Sequence, residues 1–162
     1  VPKSATGLTI SATEPVTAAA KVTNDGDGDQ ADFALVNASV PMNVSAIAVP
    51  DHATAQVSVT NTSDDDRTAT LTSYNGDGDI VEQSDLTIRA GASTTIELAD
   101  INDGDVAAVS LADPDQSMVW NIRVSQKDVS DAKLAGVSII GATDLKEARE
   151  QVWSNQNMTI VR

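Results

Sequence analysis

The sequence predicts an all-β protein whose architecture is an antiparallel β-sandwich of the immunoglobulin or fibronectin type. Short runs rich in Val, Ile and Thr alternate apolar with polar residues, which is the period of a half-buried strand. Gly, Asn and Asp interrupt these runs about every eight to twelve residues, a spacing typical of sandwiches. Helical patterning is confined to one segment, so the strands lack the crossover helices that a parallel sheet needs. We count about eleven candidate strands.

Four runs show the alternation most clearly, and in each the apolar set occupies one face of the predicted strand. In the second run, Ala55, Val57 and Val59 share the face that we expect to be buried. In the last run, Trp120 falls on the apolar face and is predicted to lie in the core. The four runs are residues 16–22, 54–62, 94–98 and 118–124.

The clearest hairpin spans residues 67–89, where two strand-like segments flank Asn75-Gly76-Asp77-Gly78. Asn-Gly and Asp-Gly pairs supply the positive φ angles that tight hairpin turns need. Ala90-Gly91-Ala92 separates this hairpin from the next strand, and the acidic residues 100–105 end that strand in turn. The sequence therefore places its turn residues between strands rather than inside them.

One short C-terminal helix is predicted over residues 144–153. Asp144 and Glu147 have the spacing of a capping box, and apolar residues recur on one side of the segment. We expect Trp153, near the end of this helix, to attach it to the sheet.

The whole chain, residues 1–162, is predicted to form a single β-sandwich unit. A weak internal repeat supports an alternative of one and a half to two β modules. Residues 8–23 resemble residues 109–125, since each has a strand, an acidic-Pro turn and a longer strand. On this alternative, residues 1–50 form a partial module and residues 51–162 a fuller one, although chance similarity between two hairpins explains the repeat equally well.

The charge of the chain excludes two classes of partner. Asp and Glu number 24 against 10 Lys and Arg, which gives a formal net charge of −14. Nucleic acid binding needs clustered Lys and Arg, and an anionic membrane surface repels an acidic protein. No apolar run approaches the roughly 20 residues of a membrane span, so we expect no direct membrane insertion by this segment. Because the chain begins at Val1, we expect an export signal or anchor to lie outside it.

Two acidic Gly-rich loops are candidate calcium sites, because alternating carboxylates can converge several oxygens on Ca²⁺. Neither loop fits an EF-hand, which needs Gly at position six and Glu at position twelve. Those positions are Gln30 and Val36 in the first loop, and Ile80 and Leu86 in the second. The alternative is that both loops are simply acidic turns, and no other cofactor is predicted. The candidate ligands are Asp25, Asp27, Asp29, Asp77 and Asp79.

No residue set points to catalysis, and we predict that the protein is not an enzyme. His52 is the single His, it lies in a predicted loop, and the chain contains no Gly-x-Ser-x-Gly motif. Basic residues such as Arg67 and Arg123 lie in or beside strands, where we interpret them as blunting exposed sheet faces rather than binding an anion. The absence of Cys also excludes disulfides and thiol chemistry. Tyr74, next to the hairpin turn, is the candidate ligand contact, as an exposed aromatic platform for a sugar.

Several stretches of the chain are similar to those of one uncharacterised family. They are residues 31–36 (ADFALV), 55–61 (AQVSVTN), 74–78 (YNGDG), 90–94 (AGAST) and 118–124 (MVWNIRV). Together they resemble a family of large exported actinobacterial proteins whose conserved part is a domain of unknown function built from β modules. The resemblance implies an extracytoplasmic location and a secreted or membrane-anchored parent protein, and it carries over no catalytic or ligand residues.

These observations predict a non-enzymatic, extracytoplasmic module of the cell envelope that serves as a spacer, a stalk or a protein-interaction domain. Its partners would be other envelope proteins or glycans of the cell wall or a host. The acidity would keep a densely displayed surface protein soluble. Two alternatives remain, a carbohydrate-binding module and an adhesin-type domain made rigid by calcium.

Overall fold

A computed structural model describes residues 7–24, 32–50, 53–101, 105–126 and 137–145. Within these ranges the protein is mostly β, and every strand pairing is antiparallel. The 3-10 helix Leu98–Asp100 follows the seventh strand. The strands are β1 (Ala19–Asn24), β2 (Asp32–Asn37), β3 (Val44–Ala48), β4 (Ala53–Asn61), β5 (Arg67–Tyr74), β6 (Ile80–Ile88), β7 (Ser93–Glu97), β8 (Ala108–Ala112), β9 (Met118–Gln126), β10 (Val137–Gly141) and β11 (Thr143–Asp144).

The strands form two larger sheets and one hairpin. The four-stranded sheet has the order β10-β9-β4-β7, and the five-stranded sheet has the order β11-β3-β8-β5-β6. Strands β1 and β2 pair with each other and form the β1–β2 hairpin, whose β2 lies close to β10. The chain crosses repeatedly between the two larger sheets, so most strands bond to partners that are distant in sequence.

The core lies between the inner faces of the two larger sheets, which we call the two-sheet body. On β4, Val57 and Val59 are fully buried, as the alternation of residues 54–62 predicts. Their partners on β9 are Ile122 and Trp120, at 0% and 3% exposure, so the predicted strand over residues 118–124 is also confirmed. Apolar side chains from both sheets meet in one hydrophobic cluster, which supplies the main driving force for folding.

A buried hydrogen bond links the two sheets through this core. The indole Nε1 of Trp120, on β9, donates to the hydroxyl of Ser45, on β3, at 2.7 Å. Both residues are buried, so the bond satisfies a polar atom that would otherwise be costly in an apolar interior. The predicted core position of Trp120 is therefore confirmed, with an added polar contact that alternation does not show.

The predicted hairpin over residues 67–89 is confirmed as β5 and β6.

At other places the strands differ from the predicted bounds. The run over residues 16–22 becomes a strand only from Ala19, and residues 8–10 of the weak repeat are not in a strand. The first half of the repeat thus lacks the initial strand that β8 provides in the second half, although the division into modules stays a prediction. Because β3 pairs with β8, residues 44–48 join the sheet formed by the later strands.

The predicted C-terminal helix is not shown by the structure. Asp144, its predicted cap, is the last residue of β11 and pairs with Ser45 of β3. Residues 146–153 lie outside the described residues. The capping-box spacing does not detect this pairing, because the partner strand lies about a hundred residues earlier in the chain.

Candidate functional site

The turn between β5 and β6 holds two of the predicted calcium ligands. The side-chain oxygen of Asn75 accepts the backbone N–H groups of Asp77, at 3.1 Å, and Asp79, at 2.9 Å. Gly78 has a φ of 87°, which confirms the predicted need for positive φ in this turn. Asn75 thus fixes the turn, and the carboxylates of Asp77 and Asp79 are left exposed to solvent.

The other predicted calcium ligands, Asp25, Asp27 and Asp29, lie outside the described residues, as does His52. Among the residues that are described, no three His or acidic side chains are grouped so that they could hold a metal ion. The structure therefore does not bring Asp77 and Asp79 together with a third such ligand from its described parts. The calcium hypothesis stays a prediction.

Tyr74 lies half-buried on the outer face of the five-stranded sheet. Its hydroxyl is 3.2 Å from the hydroxyl of Ser110 on β8. Neighbouring side chains on this face also pair across strands: Thr68 with Thr87 at 2.9 Å, and Thr70 with Asp85 at 2.8 Å. The polar groups of this face thus satisfy one another. The role of Tyr74 as a ligand contact stays a prediction.

The outer face of the four-stranded sheet is arranged differently. At one end, the hydroxyls of Thr60 and Ser93 are 2.8 Å apart, and toward the other end Gln56 donates to the carboxylate of Glu97. Arg123 lies directly opposite Gln56 on β9, and its Nε is buried without a partner in the described part of the chain. An open cavity of about 200 Å³ lies at this end. Its lining residues are Thr54, Gln56, Glu97, Arg123 and Ser125.

Asn61, the last residue of β4, organises the loops at one end of the body. It is fully buried, and its Nδ2 donates to the backbone oxygens of Asp65 at 2.8 Å and Ile88 at 3.0 Å. Its Oδ1 accepts the backbone N–H of Ser63 at 3.0 Å. Asp113 is likewise fully buried and accepts backbone N–H groups after the turn that precedes β9. Sequence reasoning missed both residues, and the one signal for Asp113 was the predicted acidic-Pro turn.

Large exposed apolar side chains are concentrated near the beginning of the chain. On β2, Phe33 and Leu35 are 53% and 62% exposed, and they lie on the same side of the strand because their positions differ by two. The ammonium of Lys21, on β1, lies 4.5 Å from the centre of the Phe33 ring. We use the name N-terminal apolar surface for the following side chains together, because all of them precede residue 41 in the chain. It comprises Leu8, Ile10, Val16, Phe33, Leu35 and Val40, each more than half exposed.

In the described ranges, no helix combines the length and the apolar character needed to cross a membrane. The architecture defines a class, that of β-rich proteins built from antiparallel sheets. Within that class, the chain belongs to the family of unknown function DUF5719, which matches residues 1–99. No curated protein and no solved structure matches the chain.

The residues that match the family end shortly after β7, whereas both larger sheets contain strands from later in the chain. Strand β4 is hydrogen-bonded on one side to β7, within the match, and on the other side to β9, beyond it. Strand β5 is likewise bonded to β6 within the match and to β8 beyond it. Both larger sheets of this protein therefore include strands that lie beyond the residues matching the family.

Proposed function

We propose that the chain is a non-enzymatic, extracytoplasmic β-sandwich module that joins its parent protein to another protein of the cell envelope. The observation that carries this proposal is the contrast between a well-packed two-sheet body and an exposed N-terminal apolar surface beside it. The body gives the rigidity of a spacer or stalk, and the apolar surface gives a place for a partner.

An immunoglobulin-like or fibronectin-like sandwich is supported by the way the two larger sheets use their inner faces. Alternate residues of β4 and β9 are buried against those of β5 and β8, and the opposite faces carry polar side chains. The hydrogen bond from Trp120 to Ser45 crosses between the sheets. Such a body can be repeated along a stalk.

The N-terminal apolar surface supports a role in protein interaction. Large apolar side chains exposed at a protein surface offer apolar area that a protein partner can cover. Phe33 and Leu35 add apolar area on one side of β2, which pairs only with β1 among the described strands. These side chains also lie within residues 1–99, which match the family. That the parent protein is exported and anchored is proposed from the resemblance to the family of exported actinobacterial proteins.

Photo-crosslinking in the native host tests the interaction. A photoreactive phenylalanine replaces Leu35 in one variant of the full-length protein and Ile80 in a control variant. Ile80 is a matched control, because it is 59% exposed and lies on β6, in the five-stranded sheet rather than in the β1–β2 hairpin. We expect a discrete crosslinked product from position 35 and none from position 80. Absence of a product at position 35, or equal products at both positions, contradicts the proposal.

The location is tested separately by adding a protease to intact cells. We expect the domain to be degraded without lysis, while a cytoplasmic marker protein stays intact. Protection of the domain until the cells are lysed would contradict an extracytoplasmic module.

A further inference from the structure

Arg123 lines the open cavity at one end of the four-stranded sheet, and it is one of two described arginines with a buried, unpaired Nε. Its Nε is buried and has no partner within the described residues, and an unpaired buried donor is costly. The Nε of Arg67 is also buried and unpaired, but that guanidinium contacts the carboxylates of Asp65 at 3.1 Å and Asp115 at 3.5 Å. In the described chain Arg123 has no such carboxylate.

The residues that line the cavity beside Arg123 all have polar or charged side chains. The hydroxyls of Thr54 and Ser125, the amide of Gln56 and the carboxylate of Glu97 complete its lining. At about 200 Å³ it is smaller than the cavities that hold drug-sized ligands, which suits a single sugar ring or a small organic acid. The three strands that form it, β4, β7 and β9, are hydrogen-bonded neighbours, so the lining is built on a rigid sheet.

The side chains of the lining indicate the chemistry of the ligand. The two terminal NH2 groups of an arginine form a fork that matches the two oxygens of a carboxylate. Because the Nε of Arg123 is closed to solvent, these terminal groups are the ones that would bind the ligand. Glu97 and the two hydroxyls can accept hydrogen bonds from ligand hydroxyl groups. A phosphate dianion suits the cavity less well, because Glu97 lines it and the chain carries a net charge of −14.

We propose that this cavity binds a hydroxylated carboxylate, with Arg123 as the carboxylate receptor. This chemistry occurs in free hydroxy acids and in the uronic acid units of acidic polysaccharides. The site is distinct from the N-terminal apolar surface, so the proposal does not depend on the proposed function.

NMR of the wild-type chain tests the site directly. The Arg Nε–H signals are followed during titration with sodium glucuronate, sodium gluconate, glucose and polyglucuronate. We expect a saturating shift of the Arg123 signal with each carboxylate and none with glucose. If polyglucuronate binds more tightly per sugar unit than glucuronate does, the ligand is a polysaccharide. Equal affinity per sugar unit would indicate a free acid. The same shift with glucose, or no shift with any carboxylate at millimolar concentration, overturns the proposal.

Variants provide the second test. We expect Arg123→Gln to weaken glucuronate binding by about tenfold or more, since it removes a charge-assisted pair of hydrogen bonds. Arg89→Gln is the matched control, because Arg89 is exposed and the charge change is the same. Should Arg123→Gln fail to fold, Ser125→Ala replaces it, with an expected loss of about threefold. Unchanged affinity in the folded variant, or an equal loss in Arg89→Gln, overturns the proposal.

Discussion

The two-sheet body and the β1–β2 hairpin use the same alternating sequence pattern with different results. In the body, the apolar residues Val57 and Val59 of β4 are fully buried, because the five-stranded sheet covers their face. In the hairpin, Phe33 and Leu35 of β2 alternate just as regularly, but more than half of each side chain is exposed. The one residue of β1 and β2 described as buried is Ala34, which faces the other way.

The difference teaches that alternation indicates a strand without indicating what covers it. Burial of apolar surface contributes about 25 cal/mol per Å², so an uncovered strand adds little stability. The body is therefore expected to carry most of the stability, whereas the hairpin leaves apolar side chains exposed, where we propose that a partner binds. This division can be tested by substitutions that should have very unequal effects in the two regions.

The largest effect is expected for Ile122→Ala. Ile122 is fully buried on β9 at the centre of the four-stranded sheet, so its truncation leaves a cavity. We expect a loss of about 2–5 kcal/mol in the free energy of unfolding, measured by urea denaturation. Leu35→Ala, the control in the hairpin, should change it by about 0.5 kcal/mol or less. Equal losses in the two variants would contradict the division between body and hairpin.

The second-largest effect is expected at the end of the body where Asn61 binds the neighbouring loops. Asn61→Ala removes a fully buried amide and leaves backbone groups of two loops without their partner. We expect a loss of about 2–3 kcal/mol, since unpaired buried polar groups are costly. Asn75→Ala, in the turn of the β5–β6 hairpin, is the control, because its contacts lie at the surface. A smaller loss for Asn61→Ala than for Asn75→Ala would show that loop order does not depend on this residue.

The strands of the body were predictable because their signal is local. Alternation over residues 54–62 and 118–124 places the buried side chains correctly, and the Asn-Gly and Asp-Gly pairs mark the turn before β6. The pairing of strands was not predictable in the same way. Most partners are distant in the chain, and Asp144, predicted as a helix cap, pairs with Ser45 instead.

The candidate site was less predictable than the fold, because it depends on that distant pairing. Arg123 alone indicates only a charged residue on a sheet face, as we interpreted it. The cavity exists because β4 brings Gln56 opposite Arg123 and β7 brings Glu97 opposite Gln56. Asn61 shows the same limit, since its amide bonds residues that follow it by as many as 28 positions.

A third substitution examines the link between the two larger sheets. Ser45→Ala leaves the indole N–H of Trp120 without the acceptor that it has at 2.7 Å. We expect a loss of about 1–2 kcal/mol in the free energy of unfolding. Thr143→Ala is the control, because Thr143 is exposed on β11, which pairs with β3. In a Trp120→Phe background, which lacks the indole N–H, Ser45→Ala should cost less than in the wild type, whereas purely additive losses would contradict the unpaired N–H as the cause.

The smallest effect is expected for Gly7→Ala, because residue 7 lies against the two-sheet body. A Cβ on Gly7 would lie 2.5 Å from the hydroxyl oxygen of Thr60 and 2.9 Å from that of Ser93, both on the outer face of the four-stranded sheet. Gly7→Ala must therefore shift residue 7 away from that face, at a cost of about 1 kcal/mol or less, because Gly7 is exposed. The measurement is again urea denaturation.

Thr60→Ala distinguishes this contact from a general effect of alanine at residue 7. It removes both Thr60 atoms that the new Cβ would meet, the hydroxyl oxygen and the methyl carbon at 2.8 Å. In the Thr60→Ala background, Gly7→Ala should therefore cost less than in the wild type, with a coupling of about 0.5 kcal/mol between the two sites. A coupling near zero would mean that residue 7 and the body do not depend on this contact. A clear coupling would show that the packing of the body extends to residue 7.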